Sequence, residues 1–570
     1  MRSHGRSTRA SVCLALLWAC ACQPARDPRE LVVIVDAPVQ DLDPRFAVDS
    51  PSAKLSRLVF AGLTQVDEHG LPQLDLAQSL TPVDEAGLHW QALVRSDARF
   101  HNGKPVLAAD VAYTYSSVMD PALGAPIAAE FARRFVSVTA DPANPRLVHF
   151  ALQRPLATIW TDLVLGIVPA RLKNQPKQRF DGALIGAGQW IAQGEARGVR
   201  VSVRRWLQHP QVAADLVDRP DVLTFRALGD EGARALSVLG GGGDVALGSL
   251  SPAVLRAAAE GGRAEVVTTP GIAWSYMALN LRQPPLHDVR VRRALLLGLD
   301  RAAIVRSLLS DLAVPADGMF APQHWAHVSG ADPAYDPALA QKLLDEAGLK
   351  PAPTTGVRLT LELKVSTSRL RRAVAQAIAQ SLQQIGVEIV VRPFELATFL
   401  ADVRAGRFQA FVLQLPEPVE PDQLGWMFHS QNAAIKTSDA KSPSPFARIG
   451  RTGLPHVFDP ALQMQPNCLT WQANTWRQWW SGIGEAWGSG NRSGYADARV
   501  DCWLDRGRRA ATREERLPLY TAVQQQLAQD LPVIPLWWES QTALVRRGVS
   551  LPHLAPDGRY AVLGDVRLHE

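Results

Sequence analysis

The stretch VLQLPEPVEPDQLGW, residues 412–426, contains two glutamates, and Glu417 is the one we expect to contact a charged ligand. Glu417 and Glu420 each supply a carboxylate. A carboxylate that is shielded from water makes a charge-assisted contact with an amine, worth roughly 1.5–3 kcal/mol. The alternative interpretation is an acidic surface loop without a ligand. The stretch therefore favours an amine as ligand and leaves the rest of its chemistry open.

Motifs that indicate catalysis do not occur in the sequence. There is no G-x-S-x-G nucleophile elbow and no H-E-x-x-H zinc motif. The run GGGGD at 240–244 lacks the Lys-Ser/Thr of a phosphate-binding loop and fits a tight turn. His101, in FHNGK, is predicted to be a turn residue, because Asn-Gly is a strong turn signal. We expect a binding protein rather than an enzyme, with no cofactor and no metal site.

Length and composition set further bounds. A chain of 570 residues that is 47% apolar buries a large core and predicts two or more domains. Its formal net charge of +5 is weak, so there is no electrostatic reason to expect a nucleic-acid partner. Cys468 and Cys502 lie in the body of the chain. In an oxidising compartment these two cysteines could form one disulfide, and the alternative is that both are buried thiols.

The N-terminal segment is typical of an exported protein. Arg2, Arg6 and Arg9 precede a short apolar run, residues 11–21, which is too short to span a bilayer and fits a secretory signal peptide. Leu17-Trp18-Ala19-Cys20 resembles the lipobox of bacterial lipoproteins, in which the cysteine is acylated. Cys22 is the alternative acylation site, and an ordinary cleaved signal is the alternative to acylation. In each case the mature protein works outside the cytoplasm.

Hydrophobic periodicity predicts alternating strands and helices. Residues 30–38 fit a buried strand, 51–67 a helix, and 88–120 a strand, a turn and a helix from Ala108. Residues 289–309 and 336–349 are amphipathic helices, and 357–395 reads strand, helix, strand with Gly386 ending the helix. This βαβ pattern predicts an α/β protein.

The order of several sequence blocks resembles the family 5 solute-binding proteins, the dipeptide, oligopeptide and nickel receptors of ATP-binding cassette (ABC) importers. The opening block is residues 58–115, and LGGGGDVALGSL follows at 239–250. Further blocks cover 280–305 and 334–349, and the closing block covers 495–538. The resemblance extends over most of residues 31–545.

The resemblance implies a two-lobed periplasmic binding-protein fold, type II and similar to cluster C, with an additional third domain. It also implies delivery of a small ligand to the membrane subunits of an ABC importer, attachment to the membrane through the lipid anchor alone, and a monomer. The expected segments are a lipoprotein signal at 1–19, a tether at 20–30, a discontinuous first lobe at 31–62, 180–275 and 528–570, the extra domain at 63–179, and the second lobe at 276–527.

The resemblance also implies where a ligand would bind. Peptide-binding members carry W-x-x-D-x-x-D/E-P, in which the first acid pairs with the peptide's α-ammonium; here Gln414 replaces the tryptophan and Glu417 the aspartate. In the family, two segments hold the backbone of the ligand, and we assign the corresponding residues of this chain by their position alone. They are Ala47, Val48 and Asp49 on one lobe and Leu413, Gln414 and Leu415 on the other. Trp274 and Tyr276 are expected either to line the cleft or to pack in the core.

Residues 432–490 depart from the family pattern. This segment is rich in proline, serine and tryptophan, and its indoles either stack on sugars or cover a core edge. A third alternative is that the segment is partly disordered. An oligosaccharide is therefore the alternative to a peptide-like ligand, and an extracytoplasmic hydrolase is the alternative outside the receptor class. The tryptophans concerned are Trp471, Trp476, Trp479, Trp480 and Trp487.

Overall fold

The structure is a computed structural model. It describes residues 27–67, 70–170, 184–194, 197–212, 216–248, 250–310, 312–330, 334–432, 490–510 and 512–569. The expected signal peptide with Cys20 and Cys22, most of the segment 432–490 and all five of its tryptophans lie outside the described residues.

A mixed sheet of 11 strands runs through most of the molecule. Parallel pairing joins neighbouring strands near both ends of the sheet, as the βαβ pattern predicts. The eleventh strand, Ala313–Pro315, is short and pairs off the main path with Val533–Arg546. The order of the other strands across the sheet is Val387–Phe394, Leu359–Ser366, Ala410–Leu415, Ala264–Leu279, Val533–Arg546, Val245–Ala246, Glu30–Val35, Val222–Ala227, Arg200–Arg205 and Trp190–Gln193.

The sheet carries two separate sets of core residues, which define two lobes. The first lobe is built on the strands from Val245–Ala246 to Trp190–Gln193. Its helices are Ser50–Val59, Glu231–Leu239, Pro252–Glu260 and the 3₁₀ helix Tyr560–Asp565, and its short strands Val549–Ser550 and Arg567–Leu568 pair with each other.

The second lobe is built on the strands Val387–Phe394, Leu359–Ser366 and Ala410–Leu415. Its longest helices, Arg369–Gln383 and Arg513–Asp530, each bury apolar residues along one face. Its other helices are Val289–Leu297, Arg301–Ile304, Pro337–Glu346, Leu396–Arg404, Gln423–Phe428 and Ala498–Gly507, with a π-helical turn at Val305–Leu309 and a 3₁₀ turn at Ser430–Asn432.

Two long antiparallel strands belong to both lobes, and we call them the crossing strands: Ala264–Leu279 and Val533–Arg546. Val545 packs in the first-lobe core and Met277 in the second-lobe core. Because each strand continues from one core to the other, the pair is the covalent link about which the lobes would turn.

The pairing of the crossing strands is interrupted between Thr269 and Ala273. Gly271 lies in this interruption, and a Cβ at that position would be 2.1 Å from the carbonyl oxygen of Glu539. Such a bulge bends a strand locally. The close approach explains why a residue without a side chain occupies the middle of the bend.

A third unit has its own core. Its antiparallel sheet has four strands, and the rings of Tyr115, Phe135 and Phe150 lie 5.4–6.1 Å apart in its interior. The strands in order are Ala77–Pro82, His89–Val94, Leu147–Leu152 and Phe135–Ala140, with helices Ala108–Met119, Ala128–Arg134 and Ile159–Asp162; the hairpin Thr64–Val66 and Pro72–Leu74 lies beside them.

Several predicted elements are confirmed and two need correction. The strand at Glu30 and the helices at Ala108 and Pro337 are present, and Gly386 adopts φ +78° after the helix it ends. The helix predicted over 51–67 ends at Val59. The helix predicted over 289–309 is divided, because Gly298 ends its first part and Asp300 caps a new helix by accepting a hydrogen bond from the backbone N–H of Ala303.

The chain remains in contact with the second lobe after the expected boundary at 528. Leu531, Ile534 and Leu536 pack in the second-lobe core, and the boundary itself stays a prediction. Cys502 forms a disulfide bond, whereas Cys468 lies outside the described residues. Within the described part of the chain, none of the helices combines the length and apolar character needed to cross a bilayer.

Candidate functional site

The loop Ala47–Asp49 leads directly into the first-lobe helix Ser50–Val59. Asp49 caps that helix, since its Oδ1 accepts a hydrogen bond of 3.0 Å from the backbone N–H of Ser52. Val48 is 60% exposed, so an apolar side chain faces solvent at the position where the resemblance places a ligand.

Leu413–Leu415 end a second-lobe strand that has one paired edge and one open edge. On one side the three residues pair with Trp274–Tyr276 of a crossing strand. On the other side, the strand Leu359–Ser366 pairs with Ala410 and Phe411. Within the described residues, no strand pairs with this side beyond Phe411. The backbone groups beyond Phe411 therefore offer an edge to which an extended ligand could add.

Trp274 and Tyr276 pack in the core of the second lobe. Their side chains are 1% and 7% exposed, and their rings stack at 4.6 Å between centroids. Burial raises the pKa of Tyr276 to about 12. In this structure both residues pack in the core, as the second of the two alternatives expects, and contact of either residue with a ligand stays a prediction. Every side chain of the strand from Gly271 to Leu279 is buried because the strand is covered on both faces.

Glu417 faces the first lobe. Its Oε1 lies 3.7 Å from the ammonium nitrogen of Lys54, which projects from the helix Ser50–Val59. The Lys54 side chain is 17% exposed to solvent, and the Glu417 side chain is 28% exposed. This ion pair joins the lobes and places a positive charge beside the carboxylate that the resemblance assigns to an amine.

Lys54 was not identified from the sequence. It lies one turn into the helix that follows Ala47–Asp49, and its ammonium is 5.9 Å from the centroid of the Tyr560 ring. Burial, with the negative charges of Asp36, Asp49 and Glu417, raises the pKa of the Tyr560 hydroxyl. The face between the lobes therefore carries the Lys54–Glu417 pair beside a tyrosine hydroxyl that several negative charges act on.

Glu420 has a different role from Glu417. Its carboxylate pairs with the guanidinium of Arg516 and accepts a hydrogen bond of 3.3 Å from the hydroxyl of Thr161 in the third unit. Burial raises the pKa of Glu420, and the Arg516 charge opposes that rise. The two acids of the 412–426 stretch thus have partners in different units: Glu417 pairs with Lys54 of the first lobe, and Glu420 pairs with Arg516 of the second lobe.

The lobes and the third unit are in contact in this structure. Arg559 of the first lobe donates to the backbone oxygens of Val66 and Asp67. A Cβ on Gly70 would be 3.7 Å from His324 and 3.8 Å from Val419 of the second lobe. A small cavity remains between these elements, lined also by Ile272 and Asp557.

Comparison with known proteins gives one family and consistent relatives. The sequence profile described as "Bacterial extracellular solute-binding proteins, family 5 Middle" matches residues 72–434. The glutathione-binding protein GsiB of Escherichia coli O1:K1 / APEC is 26% identical over 405 residues, which cover 69% of this chain and 74% of GsiB. The periplasmic oligopeptide-binding protein OppA of E. coli strain K12 is 24% identical over 536 residues, covering 89% of this chain and 87% of OppA.

A solved structure has a similar fold. NikZ from Campylobacter jejuni in complex with Ni(L-His) superposes with a TM-score of 0.70 at 21% sequence identity. The superposition covers 95% of this chain and 100% of NikZ. At this level of identity the likeness shows a shared fold.

Proposed function

The chain belongs to family 5 of the bacterial extracellular solute-binding proteins and has their two-lobed α/β fold, and from this premise we propose that its solute is a peptide-like molecule with a free amine. The ligand binds between the lobes, with its amine on Glu417 and its backbone along Leu413–Leu415 and Ala47–Asp49. An ABC importer then receives it.

The observation that carries this proposal is the contact between Glu417 and Lys54. A carboxylate that already pairs with an ammonium across the lobe interface has the charge and the position to pair with the amine of a ligand. The open strand edge at Leu413–Leu415 supports an extended, peptide-like ligand, because main-chain hydrogen bonds to such an edge tolerate varied side chains.

The printed functions of the relatives agree with this class. GsiB is named for glutathione and OppA for oligopeptides, and both ligands are peptide-like amines. The oligosaccharide alternative depends on the tryptophans of segment 432–490, which lie outside the described residues. The family consists of receptors, and we expect no turnover of any ligand.

Lobe closure about the crossing strands completes the proposed mechanism. The bend at Gly271 is the natural hinge, since the strand pairing is interrupted there. Rotation about such a hinge would bury the ligand between the lobes and present a new surface to the importer. The protein acts outside the cytoplasm, and we propose that it is a monomer anchored through an acylated Cys20, with Cys22 as the alternative.

A thermal-shift series tests the proposed ligand class. Tripeptides with a free amine should raise the melting temperature, because a ligand at a hundred times its Kd stabilises the folded state by about 2.7 kcal/mol. The same tripeptides with an acetylated amine, and oligosaccharides of similar mass, serve as matched comparisons. Stabilisation by the oligosaccharides alone would reject a peptide-like solute.

A further inference from the structure

The ion pair between Lys54 and Glu417 indicates which charged groups the ligand carries, in addition to its being peptide-like. Both side chains are largely withdrawn from water, at 17% and 28% exposure. Their separation of 3.7 Å is longer than a hydrogen bond, so the contact is a Coulombic one between two groups that retain hydrogen-bonding capacity. Each group is therefore able to accept a closer partner of opposite charge.

The fold keeps a space for the Lys54 ammonium. Gly558 has φ +70°, and a Cβ at this position would lie 2.9 Å from Lys54 Nζ and 2.8 Å from Gln541 Oε1. The Tyr560 ring lies 5.9 Å from the same nitrogen, at a cation–π distance. The ammonium is thus surrounded by first-lobe groups at the interface.

The carboxylate in contact with Lys54 is that of Glu417. The Tyr560 hydroxyl, on the ring beside Lys54, is also acted on by the negative charges of Asp36 and Asp49. Because Glu417 lies beside Lys54, a ligand that carries only negative charge would bring its charge close to that carboxylate and be repelled by it. The ligand needs a positive group.

A positive group alone creates a second problem. An ammonium that occupies Glu417 takes the place of Lys54, and a lysine in a partly dry interface then loses its counter-charge. Breaking a buried pair by removing one partner is costly, because the other charge remains uncompensated. A carboxylate on the same ligand, next to its amine, would restore the lost partner.

We propose that the ligand binds through an α-amino-acid head group, with its ammonium on Glu417 and its carboxylate on Lys54. This inference rests on the proposed function and narrows it. An ordinary peptide does not offer such a head group, because an amide follows its terminal amine. A γ-glutamyl residue does, since its α-carboxylate stays free. Lys54 is then the residue that selects γ-linked over α-linked ligands.

Two isomers separate the alternatives. The probes are γ-Glu-Ala-Gly and α-Glu-Ala-Gly, which have equal mass and charge and contain no thiol that could attack the disulfide of Cys502. Titration calorimetry on the wild type should give at least tenfold tighter binding of the γ-isomer. Lys54→Met removes the charge and should reduce the preference to within about twofold, in keeping with the loss of one charge-assisted contact. Lys350→Met, at a lysine whose side chain is 71% exposed, should leave the preference intact.

The outcomes are distinct. Equal binding of the two isomers by the wild type, or a preference that persists in Lys54→Met, overturns this inference and leaves the proposed function standing. Binding of neither isomer overturns both. If Lys54→Met does not fold, the γ-isomer with its α-carboxylate converted to an amide replaces the variant, and undiminished binding of that amide to the wild type overturns the inference.

Discussion

The hydroxyl of Thr161 in the third unit donates a hydrogen bond to the carboxylate of Glu420 in the second lobe, with 3.3 Å between the two oxygens. The same carboxylate pairs with Arg516, whose side chain is 8% exposed. One glutamate thus connects two units and compensates a buried guanidinium.

Glu420→Gln should destabilise the protein strongly. Its neutral amide leaves the Arg516 charge uncompensated in the interior, a change that typically costs about 3–5 kcal/mol. Urea unfolding gives the free energy directly. Glu514→Gln, in the exposed first turn of the helix that carries Arg516, is the control and should cost less than about 1 kcal/mol. Similar losses for the two variants would contradict the role assigned to Glu420.

Gly271→Ala should disturb the bend of the crossing strand. The added Cβ would meet the Glu539 carbonyl at 2.1 Å, and crowding of this kind costs about 1–3 kcal/mol. Gly261→Ala is the control, since a Cβ there meets nothing within 4 Å. Unfolding free energies of both variants measure the difference. A neutral Gly271→Ala would show that the bend has room that the structure does not contain.

His324 should make stability fall in mild acid. Its Nδ1 accepts from the N–H of Ala326 and its Nε2 donates to the oxygen of Val419, an arrangement that requires the neutral ring. Burial, with the charges of Arg513 and Arg516 acting in the same direction, lowers its pKa to about 4 from 6.5.

The unfolded chain therefore binds this proton more readily than the folded one, and stability is lost as the pH falls from about 6.5 to 4. The loss attributable to His324 is about 2–3 kcal/mol near the lower end. Urea unfolding at pH 7 and pH 4.5 should show a smaller decrease for His324→Gln than for the wild type. An exposed control, His287→Gln, should follow the wild type. Equal decreases in all three proteins would reject a buried neutral His324.

Cys20→Ser should abolish labelling of the exported protein by a radioactive or clickable fatty acid, because the acylated thiol is gone. Cys22→Ser should remain labelled. The reverse pattern would move the anchor to Cys22, and labelling of neither parent nor variants would favour an ordinary cleaved signal.

The elements that local patterns predict are those whose signals lie within a few residues. Gly386 ends a helix and Asn102-Gly103 makes a turn, because both features depend on backbone conformation at one position. The division of the 289–309 helix was missed because apolar residues continue at helical spacing on both sides of Gly298, and this pattern hid the local end at Gly298 and the cap at Asp300.

The residues of the candidate site, like the elements of the fold, were predicted only where the signal lies within a short stretch of sequence. Glu417 was singled out from its stretch, and the structure places it at the lobe interface. Lys54 was missed because its meaning depends on a contact between residues 54 and 417, and a lone lysine on an amphipathic helix carries no such signal. Trp274 and Tyr276 alternate along a strand, and alternation predicts a shared face without saying whether that face meets a cleft or a core.

The amine contact of Glu417 is the central claim, and a double-mutant cycle by titration calorimetry tests it most directly. The ligand is the free tripeptide with the largest thermal shift, and its N-acetylated form is the second ligand. Glu417→Gln should weaken binding of the free tripeptide ten- to hundredfold, about 1.5–3 kcal/mol, and Glu346→Gln, at an exposed helix end, should not. Acetylation should cost the wild type a similar amount and cost Glu417→Gln much less, because both changes remove one interaction. Independent, additive losses would contradict the account, as would near-normal affinity of Glu417→Gln with a large loss on replacing Trp476, Trp479 or Trp480 by alanine.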